Sequence, residues 1–343
     1  MKNAFQIEIP RPKGFLSFEV WDKSQLHENG DPIKGEEPRV YTPFQPQLIL
    51  DLFYEHYLNG TLGTAVHREA FFSYGEFGTE TSAPNATDTS HARISGSSKI
   101  SKYDAGYTFS VAGNQITSTM ELRSTQGQII GTATSFALYQ SQTSGAGSPY
   151  MKSLIKDASG NPTSLVLGAS DFIYVKWKTI STVDLSSKTG TILLGEPGSE
   201  ILYNWELKPA FWNINLNNGT TCYNFFIPVC SSSSPNSYLG INSASAFSGQ
   251  TLGAVTAAPT GTAFSFTSAT LESYTANSKK RVVAYKWGIN QGNDVLGLST
   301  FHFFNAQGQH GFQLLITAAS GGGRIPKNNQ KELILKLEFT FGR

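Results

Sequence analysis

The sequence predicts a mainly β protein: tandem antiparallel β-sandwich or jelly-roll-like units, with an N-terminal β-hairpin and one principal helix. Three observations carry this expectation. Apolar and polar residues alternate over most of the chain, turn signals recur at short intervals, and Gly, Ser, Thr and Asn are abundant. Charged residues make up only 15% of the 343 while aromatics reach 12%, a balance that favours strands joined by polar turns over surface helices. A chain of this length can bury a substantial core in one large or two ordinary domains.

Phe15-Leu16-Ser17-Phe18-Glu19-Val20-Trp21 alternates as a strand, Asn29-Gly30-Asp31 turns the chain, and Arg39-Val40-Tyr41 returns, giving a hairpin or arm. Pro46 suits the first turn of a helix over about 46–58 that Asn59-Gly60 ends. Leu48, Leu52 and Leu58, with aromatics between them, predict a helix buried on more than one side. Residues 1–65 are expected to form a docking segment that uses Phe15, Phe18, Trp21, Phe53, Tyr54 and Tyr57. From Ala70 onward the period becomes two. Strands at 107–111 and 116–122 flank Gly113-Asn114, Gln126-Gly127 turns into 128–139, and 171–180 closes a first unit over 66–182. A linker at 183–204 then leads to a second, related unit over 205–343.

The relation rests on three correspondences in the same order. Ala70-Phe71-Phe72 matches Ala210-Phe211-Trp212. Gln126-Gly127, Ile130-Gly131 and Phe136-Ala137-Leu138-Tyr139 match Gln291-Gly292, Leu296-Gly297 and Phe301-His302-Phe303-Phe304. The strand at 171–180 is answered by 331–341.

The most informative stretch is Gly78-Thr79-Glu80-Thr81-Ser82-Ala83-Pro84-Asn85-Ala86-Thr87-Asp88-Thr89, between two strand patterns. Its small polar residues compete for backbone hydrogen bonds and Pro84 cannot donate to a ladder, so it belongs on a surface. Its order resembles the G-T-x-T-x-A-P-x-A-T-D-T pattern of a broad group of tailed-bacteriophage virion proteins described as tail, tail-fibre or structural. The resemblance covers mainly 28–180 and weakly 286–343, and the second unit lacks the Ala-Pro-x-Ala-Thr-Asp-Thr loop. It implies a structural component of the virion's tail, neck or fibre apparatus, synthesised in the bacterial host cytoplasm, with other virion proteins as partners. With the low charge and the aromatic-rich strands, it also implies a homo-oligomer, a trimer or hexamer. The expected contact residues are Thr79, Thr81, Pro84, Asn85 and Asp88 in one loop and Ser144 and Tyr150 in another. The alternative is a receptor-binding tail protein that uses these loops on bacterial-surface glycans. A glycan hydrolase would need paired carboxylates, and the sequence identifies no pair.

Other motifs carry little chemistry. A formal net charge of +1 gives no general attraction to nucleic acid or anionic membranes, and no apolar run reaches the length of a membrane helix. His27, His56, His67, His91, His302 and His310 follow no metal-ligand spacing, and there is no Gly-x-Ser-x-Gly elbow. Ser320-Gly321-Gly322-Gly323-Arg324 lacks the lysine of a phosphate loop. Glu8 and Pro10 interrupt any export signal, so Cys222 and Cys230 are read as reduced thiols in preference to a disulfide. The expectation is contact without catalytic residues, metal or cofactor, and without membrane insertion.

Overall fold

The computed structural model describes residues 4–9, 11–59, 73–139, 147–182, 184–196, 198–210, 241–255, 257–305 and 311–341. Strands dominate, as the alternation predicts. The first half of the chain supplies β1 (Phe5–Ile9), β2 (Lys13–Asp22), β3 (Val40–Ile49), α1 (Asp51–Asn59), β4 (Tyr74–Gly78) and β5 (Ile100–Ala112). There follow β6 (Gln115–Arg123), β7 (Gly131–Ala133), β8 (Ser135–Tyr139), β9 (Met151–Leu154), β10 (Leu165–Leu167) and β11 (Asp171–Thr182). Eight strands close a barrel in the order β11-β2-β3-β9-β8-β4-β5-β6, and β7 pairs with β10 as a separate ribbon. The first unit is therefore a closed barrel and not an open sandwich, which leaves its wall without free edges. Inside it the Phe136 ring meets Phe18 and Phe77 at 5.4 and 4.8 Å. Gly75 makes room for that ring, since a Cβ there would lie 2.2 Å from it.

The second half supplies β12 (Lys188–Leu194), β13 (Ile201–Ala210), β14 (Ile241–Phe247), β15 (Ala263–Ser265), β16 (Ser268–Leu271) and β17 (Lys280–Trp287). It continues with β18 (Asp294–Leu298), β19 (Thr300–Asn305), β20 (Gly311–Ala318), β21 (Ile325–Lys327) and β22 (Leu333–Phe341). Here two sheets stack, β1-β22-β17-β16 over β12-β13-β20-β19-β14-β15, with β18 and β21 as a ribbon. Aromatic pairs between the sheets fix the stacking: Phe5 on Trp205, Phe339 on Phe312, Tyr285 on Phe303 and Trp287 on Phe301.

The strand pairings repeat between the halves. The run β3-β9-β8-β4 is answered by β13-β20-β19-β14, β5-β6-β11 by β16-β17-β22, and the ribbon β7-β10 by β18-β21. Register repeats too, because Leu138↔Met151 and Ser135↔Leu154 correspond to Phe303↔Phe312 and Thr300↔Leu315. The matching turn glycines, Gly127 and Gly292, share the left-handed conformation at φ 61° and 67°. Two of the sequence correspondences fall on this mapping. The remaining one does not, because Ala210 ends β13, whose counterpart β3 ends at Ile49. Residues 70–72 and 211–212 lie outside the described residues.

Several boundaries need correction. The hairpin at 13–49 is two staves of the barrel wall and not a separate arm, and β1 belongs to the sandwich of the second half. The described residues of the segment 1–65 are thus divided between both halves. The helix starts at Asp51 and not near Pro46, because Leu48 and Ile49 pair with Lys152 and Met151 of β9. The expected linker at 183–204 contains β12 and the start of β13. Helix α1 ties the halves together: Glu55 accepts hydrogen bonds from the Tyr274 hydroxyl and the Asn277 N–H, Asp51 pairs with Lys279, and the Tyr54 ring lies 4.7 Å from Phe341.

Candidate functional site

The informative loop drapes over the outside of the barrel wall. Phe77 points into the core, so its neighbour Glu76 points outward, beside Ala137 of β8, which in turn neighbours Lys152 of β9. An outward strand face is normally wet. Here Glu76, Ser135 and Lys152 are only 2%, 2% and 5% exposed.

Lys152 is the main anchor of the covering loop. Its Nζ lies 2.8 Å from the Glu80 carboxylate and 2.9 Å from that of Asp88, and donates to the Ser90 carbonyl at 3.0 Å. Burial works against its charge, but these partners outweigh burial and raise its pKa. Lys152 in turn holds the Asp88 carboxyl below the usual range. Ala86 accepts the Asp51 N–H at 2.7 Å, which ties the loop to the start of α1. Replacing Lys152 with Met keeps the stem and removes the charge. We expect a loss of about 2 kcal/mol, less than the ~3–5 of a fully buried pair because the carboxylates could hydrate. Denaturant unfolding and faster hydrogen exchange over 79–92 would measure it, and unchanged exchange there would refute the anchor.

Beside this anchor, His91 joins two residues distant in sequence. Its Nε2 is 2.9 Å from Ser135 Oγ and its Nδ1 is 3.9 Å from Glu76, while Ser135 Oγ accepts the Glu80 N–H at 3.2 Å. Hydroxyl, imidazole and carboxylate stand in the order of a nucleophile, its base and an orienting acid. The His91 side chain is fully buried, however, and the imidazole–carboxylate gap exceeds a hydrogen bond. Ser135 is only 2% exposed, and through these contacts the group fastens the loop to the wall. Burial opposes the charge of Glu76, but His91, the Tyr139 hydroxyl and Lys99 hold its carboxyl below the usual range. Burial also lowers the pKa of Lys99, whose ammonium lies 3.7 Å from the centre of the Tyr139 ring.

Gln313 of β20 occupies the place of Lys152 in the other half. It accepts the Gly253 N–H at 2.7 Å and donates to the Gly253 and Ala254 carbonyls, so the equivalent loop is fastened by an uncharged side chain.

The expected contact residues divide. Thr79, Thr81 and Asn85 are exposed, Pro84 and Asp88 are half-buried, and Ser144 lies outside the described residues. Tyr150 is not a surface contact residue: it is buried, and its hydroxyl lies 2.8 Å from His56 Nδ1. Phe18, Trp21, Phe53 and Tyr54 are likewise buried, which corrects their docking role; the strands and helix that carry them are internal walls. Phe15 is half-buried, and the Tyr57 side chain, Cys222 and Cys230 lie outside the described residues.

Two surface features escaped the sequence reading. Ile130 and Val166 are exposed at the β7–β10 ribbon, and Val295 and Leu296 at the equivalent β18–β21 ribbon, where Val295 is wholly exposed. Second, a shallow depression of about 410 Å³ on the β12–β13–β20 face is lined by Thr189, Thr191, Asn204, Glu206, Leu315 and Thr317. Among the described residues no group of three or more His, Cys, Asp or Glu could hold a metal ion, and no helix is long and apolar enough to cross a membrane. No family model, no curated protein and no solved structure matches the chain.

Proposed function

We propose that the chain is a structural component of a tailed-phage virion, in the tail, neck or fibre apparatus, and that it works by contact with its own copies and with neighbouring virion proteins. The resemblance at residues 78–89 supplies the class. The observation that carries the contact role is the pair of exposed apolar ribbons at equivalent positions, Ile130 with Val166 and Val295 with Leu296. Isolated surface aliphatics need no explanation, but exposure repeated on matching elements favours a surface that is covered in an assembly. Light scattering on the purified protein tests this, with a trimer or hexamer expected. Val295→Glu with Leu296→Glu should lower the oligomer mass without changing the circular-dichroism spectrum. An unaltered mass would sink the ribbon role, and absence of the chain from tail, neck and fibre density in particles would sink the virion reading.

The glycan-binding alternative is favoured by the depression on β12–β13–β20, whose threonines, Asn204 and Glu206 offer hydrogen-bonding groups of the kind sugars use. A glycan array with wild type and Asn204→Ala separates it: binding lost in the variant supports a receptor site, and no binding by wild type removes it.

A further inference from the structure

The barrel closes its own seam. β11 pairs with β2 from Asp171↔Asp22 to Ile180↔Lys13. Among the described residues the counterpart pairing, β22 with β12, is missing: β12 pairs with β13, and the edge of β22 is taken by β1. That pairing is parallel, from Phe5↔Leu337 to Ile9↔Phe341, whereas the barrel's is antiparallel. The second half is therefore completed by a strand from the other end of the sequence.

The docked strand fills a defined place. Phe5 and Ile7 are 1% and 4% exposed, and the Phe5 ring stands edge-on to Trp205 at 5.8 Å. Without β1, the β22 edge would present unpaired backbone groups beside an apolar slot. Only Pro10-Arg11-Pro12 joins β1 to β2. The connection is short, and neither proline has an N–H to give to a ladder, so its sequence separates the two strands. A strand held by such a hinge, with its partner edge in the other half of the molecule, can make identical contacts on a second copy.

We propose that β1 is an exchanged strand: in the assembled protein, residues 5–9 of one copy dock on the β22 edge of the next. This rests on the reading that copies assemble, and it names the contact. The occupant follows from the slot, which accepts a parallel strand bearing Phe and Ile two residues apart. Reciprocal exchange gives a closed pair, and head-to-tail exchange gives a ring or a filament.

Gln6 and Glu338 are partners in the β1–β22 register, so Gln6→Cys and Glu338→Cys report which copy β1 occupies. Both are made with Cys222 and Cys230 replaced by Ser, co-refolded in equal amounts, and oxidised. Exchange predicts a disulfide-linked two-chain product from the mixture, whereas β1 seated on β22 of its own chain predicts none. A cross-link confined within single chains of the Gln6→Cys/Glu338→Cys double variant, with no two-chain product from the mixture, overturns the proposal. If light scattering then still shows an oligomer, exchange alone has failed and assembly through other surfaces stands. A monomer removes both exchange and self-assembly, while location in the particle judges the virion reading separately.

Discussion

Truncation of Phe5 to alanine should lower stability by about 3–4 kcal/mol, within the range for removing a buried aromatic ring. The side chain is 1% exposed and its ring packs against Trp205 of the opposite sheet, so its loss opens a cavity between the sheets. It also weakens the pairing that covers that edge of β22. Guanidinium unfolding of wild type and Phe5→Ala would measure the loss, with hydrogen exchange locating it. Faster exchange is expected over 333–341 and not over β8 in the barrel. A change below about 0.5 kcal/mol, as for an ordinary surface substitution, would show that β1 does not brace the sandwich.

The second large effect concerns acid. His302 on β19 is 4% exposed and stacks on Phe304 at 4.7 Å, and burial pushes its pKa down to about 4. In the unfolded chain an imidazole titrates near 6.5, so between about pH 6.5 and 4 the unfolded state binds more protons than the folded state. Stability therefore falls as pH drops through that window, by roughly 3 kcal/mol for this one group. The depressed Glu76 carboxyl works in the same direction but at lower pH, because its stabilisation is lost only as it protonates below the ordinary carboxylate range. Unfolding midpoints of wild type and His302→Gln between pH 7 and 4 should diverge in slope. Parallel slopes would rule out His302 as the source.

Much of the strand content was legible because alternation is local: Ile173, Val175 and Trp177 on β11, and Leu333, Leu335 and Leu337 on β22, show it without any partner. The matching of 126–139 with 291–304 was legible for a related reason, since turn glycines and inward aromatics recur at fixed spacing. Closure of the barrel was not. Whether β2 meets β11 depends on a pairing between residues 13–22 and 171–180, and nothing in either strand names its neighbour. The start of α1 was misplaced because Gln47-Leu48-Ile49 suits a helix locally, while pairing with β9 holds it extended. The loop anchors were hidden more deeply. Lys152 and Gln313 occupy equivalent places with different chemistry, and Glu76, His91 and Ser135 meet across separate elements, so neither identity nor spacing could reveal them.

The parallel seating of β1 on β22 also sets a timetable. During synthesis β1 emerges more than 300 residues before β22. At typical elongation rates that is an interval of roughly 15–60 seconds. All eight staves of the barrel are complete by Thr182, so the barrel can form early. Through the rest of translation Phe5 and Ile7 wait without their edge, next to any neighbouring nascent chain on the same message. The identity of the first β22 edge to reach β1 is then a race between the chain's own ribosome and the one ahead of it.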